Sequence, residues 1–229
     1  MSGRTRPKSQ MKTRTRRKVG RPGGGDDVRG AILAAALRQL EAAGDPDRVT
    51  VAAIVDEAGC TPPSLYHYWP QRELLLQEAS ARGWAQFRAS QAAAVADRQD
   101  LVHDSDQDPH RGRDQDPVER LRLRGRAYLE FALARPSLFR VLFLEPATAG
   151  PGETPAETGR AFSDLVTDVT HAMTGGQLRA ADPLTTALAL WSVVHGVAAL
   201  WAVTPSLPTE LAHAVGDLAQ DAVLAGLAT

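Results

Sequence analysis

From residue 26 onward, apolar side chains recur every three or four positions, the spacing of helices that bury one face. Asp26-Asp27 complement the positive end of a first helix carrying Ile32, Leu33, Ala36, Leu37 and Leu40, which Gly44-Asp45-Pro46 closes. Thr50 is an N-cap residue for a short helix with Val51, Ile54, Val55 and Ala58 on one face. After the break Gly59-Cys60-Thr61, Pro62 to Trp69 makes two turns, and Pro70 starts a longer helix reaching about Val95. Residues 98–116 are rich in Asp and Arg and repeat the tetrad Asp-Gln-Asp-Pro, so they read as a solvated connection. Helical spacing resumes at Pro117 with Val118, Leu121, Gly125, Tyr128 and Ala132, and Arg135-Pro136 starts a helix with Leu138, Phe139, Leu142 and Phe143. A Pro/Gly-rich loop occupies 145–155. Three more helices follow: Ala156 to Met173, a highly apolar one capped by Asp182-Pro183 and stopped by Thr204-Pro205, and Leu207 to Ala228. No segment alternates as a strand would, and the expected fold class is all-α.

The two short helices on either side of Gly59 form a helix-turn-helix pattern. Ala58 allows close approach, and Gly59 suits the left-handed turn. Thr61 is placed to cap the second helix. Pro62 and Pro63 fall in its first turn, where backbone N–H groups lack intrahelical partners. Leu65 and Trp69, four apart, face inward, which leaves Ser64, His67 and Tyr68 toward a groove or its phosphates.

Charge divides the chain. Overall there are 26 Lys and Arg against 27 Asp and Glu. Nine of the basic residues, among them Arg16, Arg17, Lys18 and Arg21, lie in residues 1–25 with no acid, so the rest of the chain is acidic by ten charges. A basic arm on an acidic body reads as a contact for nucleic acid or an anionic membrane, and otherwise as a solubilising tail. The arm has no apolar stretch behind its charges and is not an export signal. One cysteine, Cys60, excludes a disulfide framework or thiolate cluster within one chain.

Thr50 to Leu75, TVAAIVDEAGCTPPSLYHYWPQRELL, resembles the recognition region of TetR-type bacterial transcriptional regulators, a likeness running from about Asp27 to Arg82. The resemblance implies that Tyr66 reaches a phosphate through its hydroxyl, and that Thr50, Thr61 and Arg72 hold the DNA backbone. Pro62, Pro63, Ser64 and His67 then read bases or form the groove wall. Tyr68-Trp69 stands where the family usually has His-Phe, and Arg72 where it has Lys. The two prolines offer no side-chain hydrogen bonds, so direct readout rests on few residues. The arm would lie in the adjacent minor groove, Gly20-Arg21-Pro22 being similar to known minor-groove hooks.

Trp191-Ser-Val-Val-His195-Gly196, Trp201 and the segment Arg135 to Phe143 are similar to a sensor-domain subgroup of the same family with a Trp…His-Gly signature. That likeness implies a homodimer through the last two helices and a small-molecule pocket. Candidate walls are Tyr128, Phe131, Phe139, Phe143, Trp191, His195 and Trp201, although aromatic residues at helical spacing are more often plain core. Such a lining, apolar with few charges, favours a hydrophobic or aromatic ligand. Leu184 to Val203 has no charged residue and is long enough to span a bilayer. Its Thr185, Thr186, Ser192, His195 and Gly196, with no Lys/Arg flank, point instead to a helix buried in the protein or its oligomer.

The expected layout is a basic arm (1–25), a three-helix DNA-binding domain (26–86, recognition motif about 49–68), and a larger helical regulatory and dimerisation domain (87–229). No motif for catalysis, metal or cofactor binding is found: Asp104, Asp106 and Asp108 begin like a calcium loop, but Pro109 stands where it needs Gly. The expectation is a cytoplasmic, homodimeric, non-enzymatic regulator without cofactor, acting as a repressor released from its operator DNA by a small molecule. The alternative is an architectural DNA-binding protein with no inducer; a cavity behind Trp191 and Phe139 would favour the former and a filled core the latter.

Overall fold

The computed structural model describes residues 25–103, 116–144, 156–204 and 206–229. The arm with Arg16, Arg17, Lys18 and Arg21, most of the 98–116 connection and the 145–155 loop lie outside them. Among the described residues every regular element is helical, and the one β-bridge is isolated, joining Leu178 to Ala228.

Helix α1 spans Gly25–Ala43, and a single 3-10 turn at Pro46–Arg48 leads into α2, Val51–Ala58. Helix α3 is Pro62–Tyr68, and α4 runs from Arg72 to His103. Two expectations about α4 need correction. It begins at Arg72, because Trp69, which precedes Pro70, is extended (φ −128°, ψ 103°) as a residue before proline is pressed to be. It also continues to His103, into the stretch expected to be a connection. Charged residues do not end a helix; Gly and Pro do, and none follows Gly83 until Pro109. The helix therefore crosses the expected domain boundary at 86/87 without a break.

Helix α5, Pro117–Ala134, is capped by Asp116, whose carboxylate accepts from Val118 N–H at 2.9 Å. Helix α6 is one turn, Pro136–Phe139, and widens into a π-helical turn at Arg140–Leu144 instead of the uniform helix expected. Helices α7, α8 and α9 span Ala156–Thr174, Pro183–Val203 and Thr209–Leu227. The Asp182 carboxylate caps α8 by accepting from Thr185 N–H at 2.8 Å, as the Asp-Pro pair indicated.

Helix α5 packs against α4, α7, α8 and α9, and α1 against α2, α4 and α6. The buried apolar residues form two clusters. The larger runs from Ile32, Leu40, Ile54, Leu65 and Leu76 through Phe87 and Phe139 to Trp201. The smaller joins Leu121, Val169, Ala172, Leu178, Ala187, Leu190 and Leu224. Helix α8 buries Thr186, Ala187, Leu190, Val194, Val197, Ala198 and Trp201, yet leaves Leu184, Leu188, Leu200 and Val203 exposed, so in a single chain it is not enclosed all round. By length and composition it is also the one helix among the described residues able to cross a membrane.

Candidate nucleic-acid interface and ligand cavity

The turn between α2 and α3 is built from local backbone rules. Thr50 caps α2, its hydroxyl accepting from Ala53 N–H at 3.2 Å. Gly59 ends α2 with φ 66°, and Cys60 N–H returns to Val55 O at 3.0 Å. That conformation costs a side chain with a Cβ and suits glycine. Thr61 sits at the N-cap position of α3 with extended dihedrals, but its hydroxyl makes no cap bond and lies 3.0 Å from Ser64 Oγ instead. The reason is in the sequence. Pro63 removes the second helical N–H as a cap donor, and the Thr61 hydroxyl is engaged by the Ser64 side chain in place of the third.

Leu65 is fully buried and Trp69 nearly so, both against the core of the first three helices. Trp69 Nε1 donates to Glu78 Oε2 at 2.7 Å, and the Arg29 guanidinium lies 5.2 Å above its ring. With these two anchors inside, the opposite face of α3 stands in solvent. Pro62, Pro63, Tyr66 and His67 are exposed, Tyr66 by 47%, and Ser64 is half-buried. Thr50 and Thr61 are exposed at the helix starts. Tyr68 packs partly into the core, with His67 edge-on at 5.0 Å. Arg72 takes another role from the one its sequence position implied: its Nε donates to Val49 O at 2.8 Å and its Nη2 to Pro46 O, which clamps the 3-10 turn ahead of Thr50. The exposed Arg48 beside that turn was not singled out from sequence; its place after the Asp45 cap was the available signal.

A cavity of about 340 Å³ lies in the C-terminal half, its walls supplied by α4, α5, α7, α8, α9 and the π turn. It occupies the gap between the two apolar clusters, touching Trp84, Phe87, Tyr128 and Val194 of one and Leu121 and Leu190 of the other. Of the seven aromatic and histidine residues proposed as walls, Tyr128, Phe143 and Trp191 line it. Phe131, Phe139, His195 and Trp201 do not. Phe139 is wholly enclosed, and Phe131 packs edge-on to Phe87 at 5.2 Å. Trp201 donates its Nε1 to Pro208 O at 3.1 Å and closes the α8–α9 turn. His195 stands behind Tyr128, whose hydroxyl is 2.8 Å from His195 Nδ1. Burial holds the His195 imidazole below its ordinary value and pushes the Tyr128 hydroxyl up, so both are neutral near pH 7.

Trp84, Phe87 and Phe162 complete the aromatic wall and were missed. The i, i+3 pair Trp84 and Phe87 on α4 was a legible signal; Phe162 needed the tertiary fold. The polar lining is Gln91, Arg124 and Gln220 besides Tyr128. Gln220 is buried against Gly125, where a Cβ would come within 2.4 Å of its Nε2, and it donates to Leu121 O at 2.8 Å.

The chain resembles known proteins in both halves. Residues 32–79 match the family model described as bacterial regulatory proteins, tetR family, and residues 121–223 match that of the tetracyclin repressor-like C-terminal domain. No curated protein matches the sequence. Among solved structures, a protein of unknown function from Rhodococcus sp. RHA1 is 23% identical with a TM-score of 0.70, covering 94% of this chain and 100% of its own. The transcriptional regulator FadR from Bacillus subtilis, solved with stearoyl-CoA, is 15% identical with a TM-score of 0.65, covering 83% and 96%. AibR, solved with isovaleryl coenzyme A and operator DNA, is 22% identical with a TM-score of 0.56, covering 87% and 97%.

Proposed function

Because the chain belongs to the tetR family of bacterial transcriptional regulators, with that family's helix-turn-helix DNA-binding domain, we propose that it is a cytoplasmic, homodimeric repressor released from its operator by a small hydrophobic ligand. The cavity between the two apolar clusters carries this reading. An architectural protein with no inducer needs a solid core behind Trp191, and a void there forfeits packing energy that a ligand restores. The ligands named with FadR and AibR, both acyl thioesters of coenzyme A, support an inducer with an aliphatic part.

In this reading residues 26–86 bind DNA, with α4 shared between that unit and the regulatory one. Tyr66, Thr50 and Thr61 hold phosphates; Ser64 and His67 read bases beside the apolar edges of Pro62 and Pro63. The basic arm adds phosphate or minor-groove contacts. Leu184, Leu188, Leu200 and Val203 on α8, with Leu211 and Leu218 on α9, are the exposed apolar face that a second copy covers. The Trp191, His195 and Gly196 signature is the reason to place the sensor half beside the Trp…His-Gly subgroup. Filling the cavity would press on Phe143 and the π turn, which continue into α6, and α6 packs on α1 of the DNA-binding unit. A ligand that fits one arrangement better than the other shifts the population between them.

Gel-shift selection from a random DNA pool, repeated with apolar compounds, tests this. The expected result is one twofold-symmetric operator bound by a dimer and released by a subset of hydrophobic compounds. Equal binding to all sequences, with no compound releasing it, would favour the architectural reading.

A further inference from the structure

Arg124 is the one charged side chain lining the cavity among the described residues, in a wall otherwise dominated by aromatic and aliphatic groups. It projects from α5 and is only 15% exposed. Its Nε donates to Asp168 Oδ2. Arg120, one helical turn earlier, donates its Nη2 to the other oxygen of the same carboxylate at 2.7 Å and to His171 Nδ1 at 3.0 Å. Two guanidinium groups therefore share one buried acid, and among the described residues the cluster holds one more positive charge than negative.

Of the two arginines, Arg124 is the one that lines the cavity. Among the described residues neither terminal nitrogen of Arg124 has a hydrogen-bond partner, while its Nε is committed to Asp168. The other polar lining groups are engaged elsewhere: Tyr128 with His195, Gln220 with Leu121 O, and Gln91 with Arg124 O at 3.5 Å. The terminal nitrogens of Arg124 keep solvent access, and an anion of matching planar geometry can replace that water with a charge-assisted pair in an apolar surround.

We propose that the cavity takes an amphipathic carboxylic acid, its apolar body against Trp84, Phe87, Phe143, Phe162 and Trp191 and its carboxylate on the free edge of Arg124. This rests on reading the cavity as the ligand site and adds the acid group to it. The acid is distinct from a thioester, whose acyl carbonyl is neutral and forms no ion pair with the guanidinium.

Titration calorimetry on the full chain tests it with two matched probe pairs, decanoate with decanol and naphthoate with naphthol, and with decanoyl coenzyme A as a further arm. In the unaltered protein at least one acid should bind roughly tenfold or more tightly than its alcohol, the gain of a charge-assisted hydrogen bond. Arg124→Gln should remove that preference while leaving the alcohol's affinity within about twofold, and Arg124→Lys should restore part of it. Acid and alcohol binding alike, a preference that survives Arg124→Gln, or the thioester alone binding would overturn the acid while leaving the apolar-ligand reading standing. Binding by no probe would overturn both. Should Arg124→Gln fail to fold, the acid-to-alcohol ratio in the unaltered protein and in Arg124→Lys still decides.

Discussion

Arg135, at the corner between α5 and α6, forks its guanidinium onto Glu41 of α1, with Nε 2.7 Å from one carboxylate oxygen and Nη2 2.9 Å from the other. One side chain thus ties the cavity-bearing half to the first helix of the DNA-binding unit. The Arg135 hydrogen bonds hold the Glu41 carboxyl below its ordinary value of 4.5. Because the folded value is the lower one, the pair's stabilisation is complete above 4.5 and is lost as pH falls through the lowered value.

Breaking that fork should cost little stability and much communication. In a double-mutant cycle with Glu41→Gln and Arg135→Gln the coupling energy should be about 1 kcal/mol, as for a half-exposed bidentate pair. The ligand-induced change in operator affinity should shrink in both variants. Additive stabilities together with an undiminished ligand response would show that the fork is ornamental.

Tyr66 and His67 should separate affinity from sequence preference. Tyr66→Phe removes a hydroxyl from an exposed ring and should weaken binding to operator and random DNA by a similar few-fold factor, roughly 1 kcal/mol. His67→Ala should relax preference at a single operator position. Competition gel shifts with operator point variants distinguish the two, and an unchanged affinity for Tyr66→Phe would refute the phosphate contact.

The neutral His195 makes stability depend on pH. The unfolded chain takes up a proton near the ordinary imidazole value of 6.5, whereas the folded site resists it through burial. The folded value is therefore the lower one, so His195's contribution is complete above 6.5 and declines as pH drops below it. Thermal melts across that window should show a flatter profile for His195→Gln than for the unaltered chain; parallel profiles would contradict the assignment.

Gly216 on α9 faces Leu129 of α5 so closely that a Cβ there would lie 2.1 Å from Leu129 Cδ1. Leu129 is buried and has little room to turn. Gly216→Ala should therefore destabilise the protein by about 1–3 kcal/mol through overpacking, read from denaturant midpoints. Gly196→Ala on α8, where no atom lies within 4 Å of the added Cβ, is the control and should stabilise by about 0.5–1 kcal/mol through helix propensity.

Removing residues 1–21 should reduce the slope of log affinity against log salt by about 0.9 for each phosphate the arm neutralises. Titrations at several salt concentrations read this directly. An unchanged slope would make the arm a tail with no part in binding.

The helix-turn-helix was legible because its determinants are local. A left-handed glycine, two prolines at a helix start and an i, i+4 apolar pair act within about twenty residues, and each depends on backbone sterics more than on distant packing. The cavity wall was only partly legible. Phe139 and Phe143 share one helical stripe and stack at 4.9 Å, yet the first is wholly enclosed while the second lines the cavity. His195 and Trp201 look like wall residues in sequence, but hydrogen bonds to Tyr128 and to Pro208 O engage them elsewhere.

By itself the sequence determined the helical class, the caps and breaks, the reading-helix pattern and the separation of a basic arm from an acidic body, because periodicity, capping and charge are properties of neighbouring residues. Only the tertiary structure decided where the two cores fail to meet, which aromatic rings face the gap, and that Arg124 reaches it with its terminal nitrogens free among the described residues. Those outcomes depend on the rotation and offset of α4, α5, α7 and α8 against one another. Helical spacing states which face of a helix is apolar; it does not state which partner that face will meet.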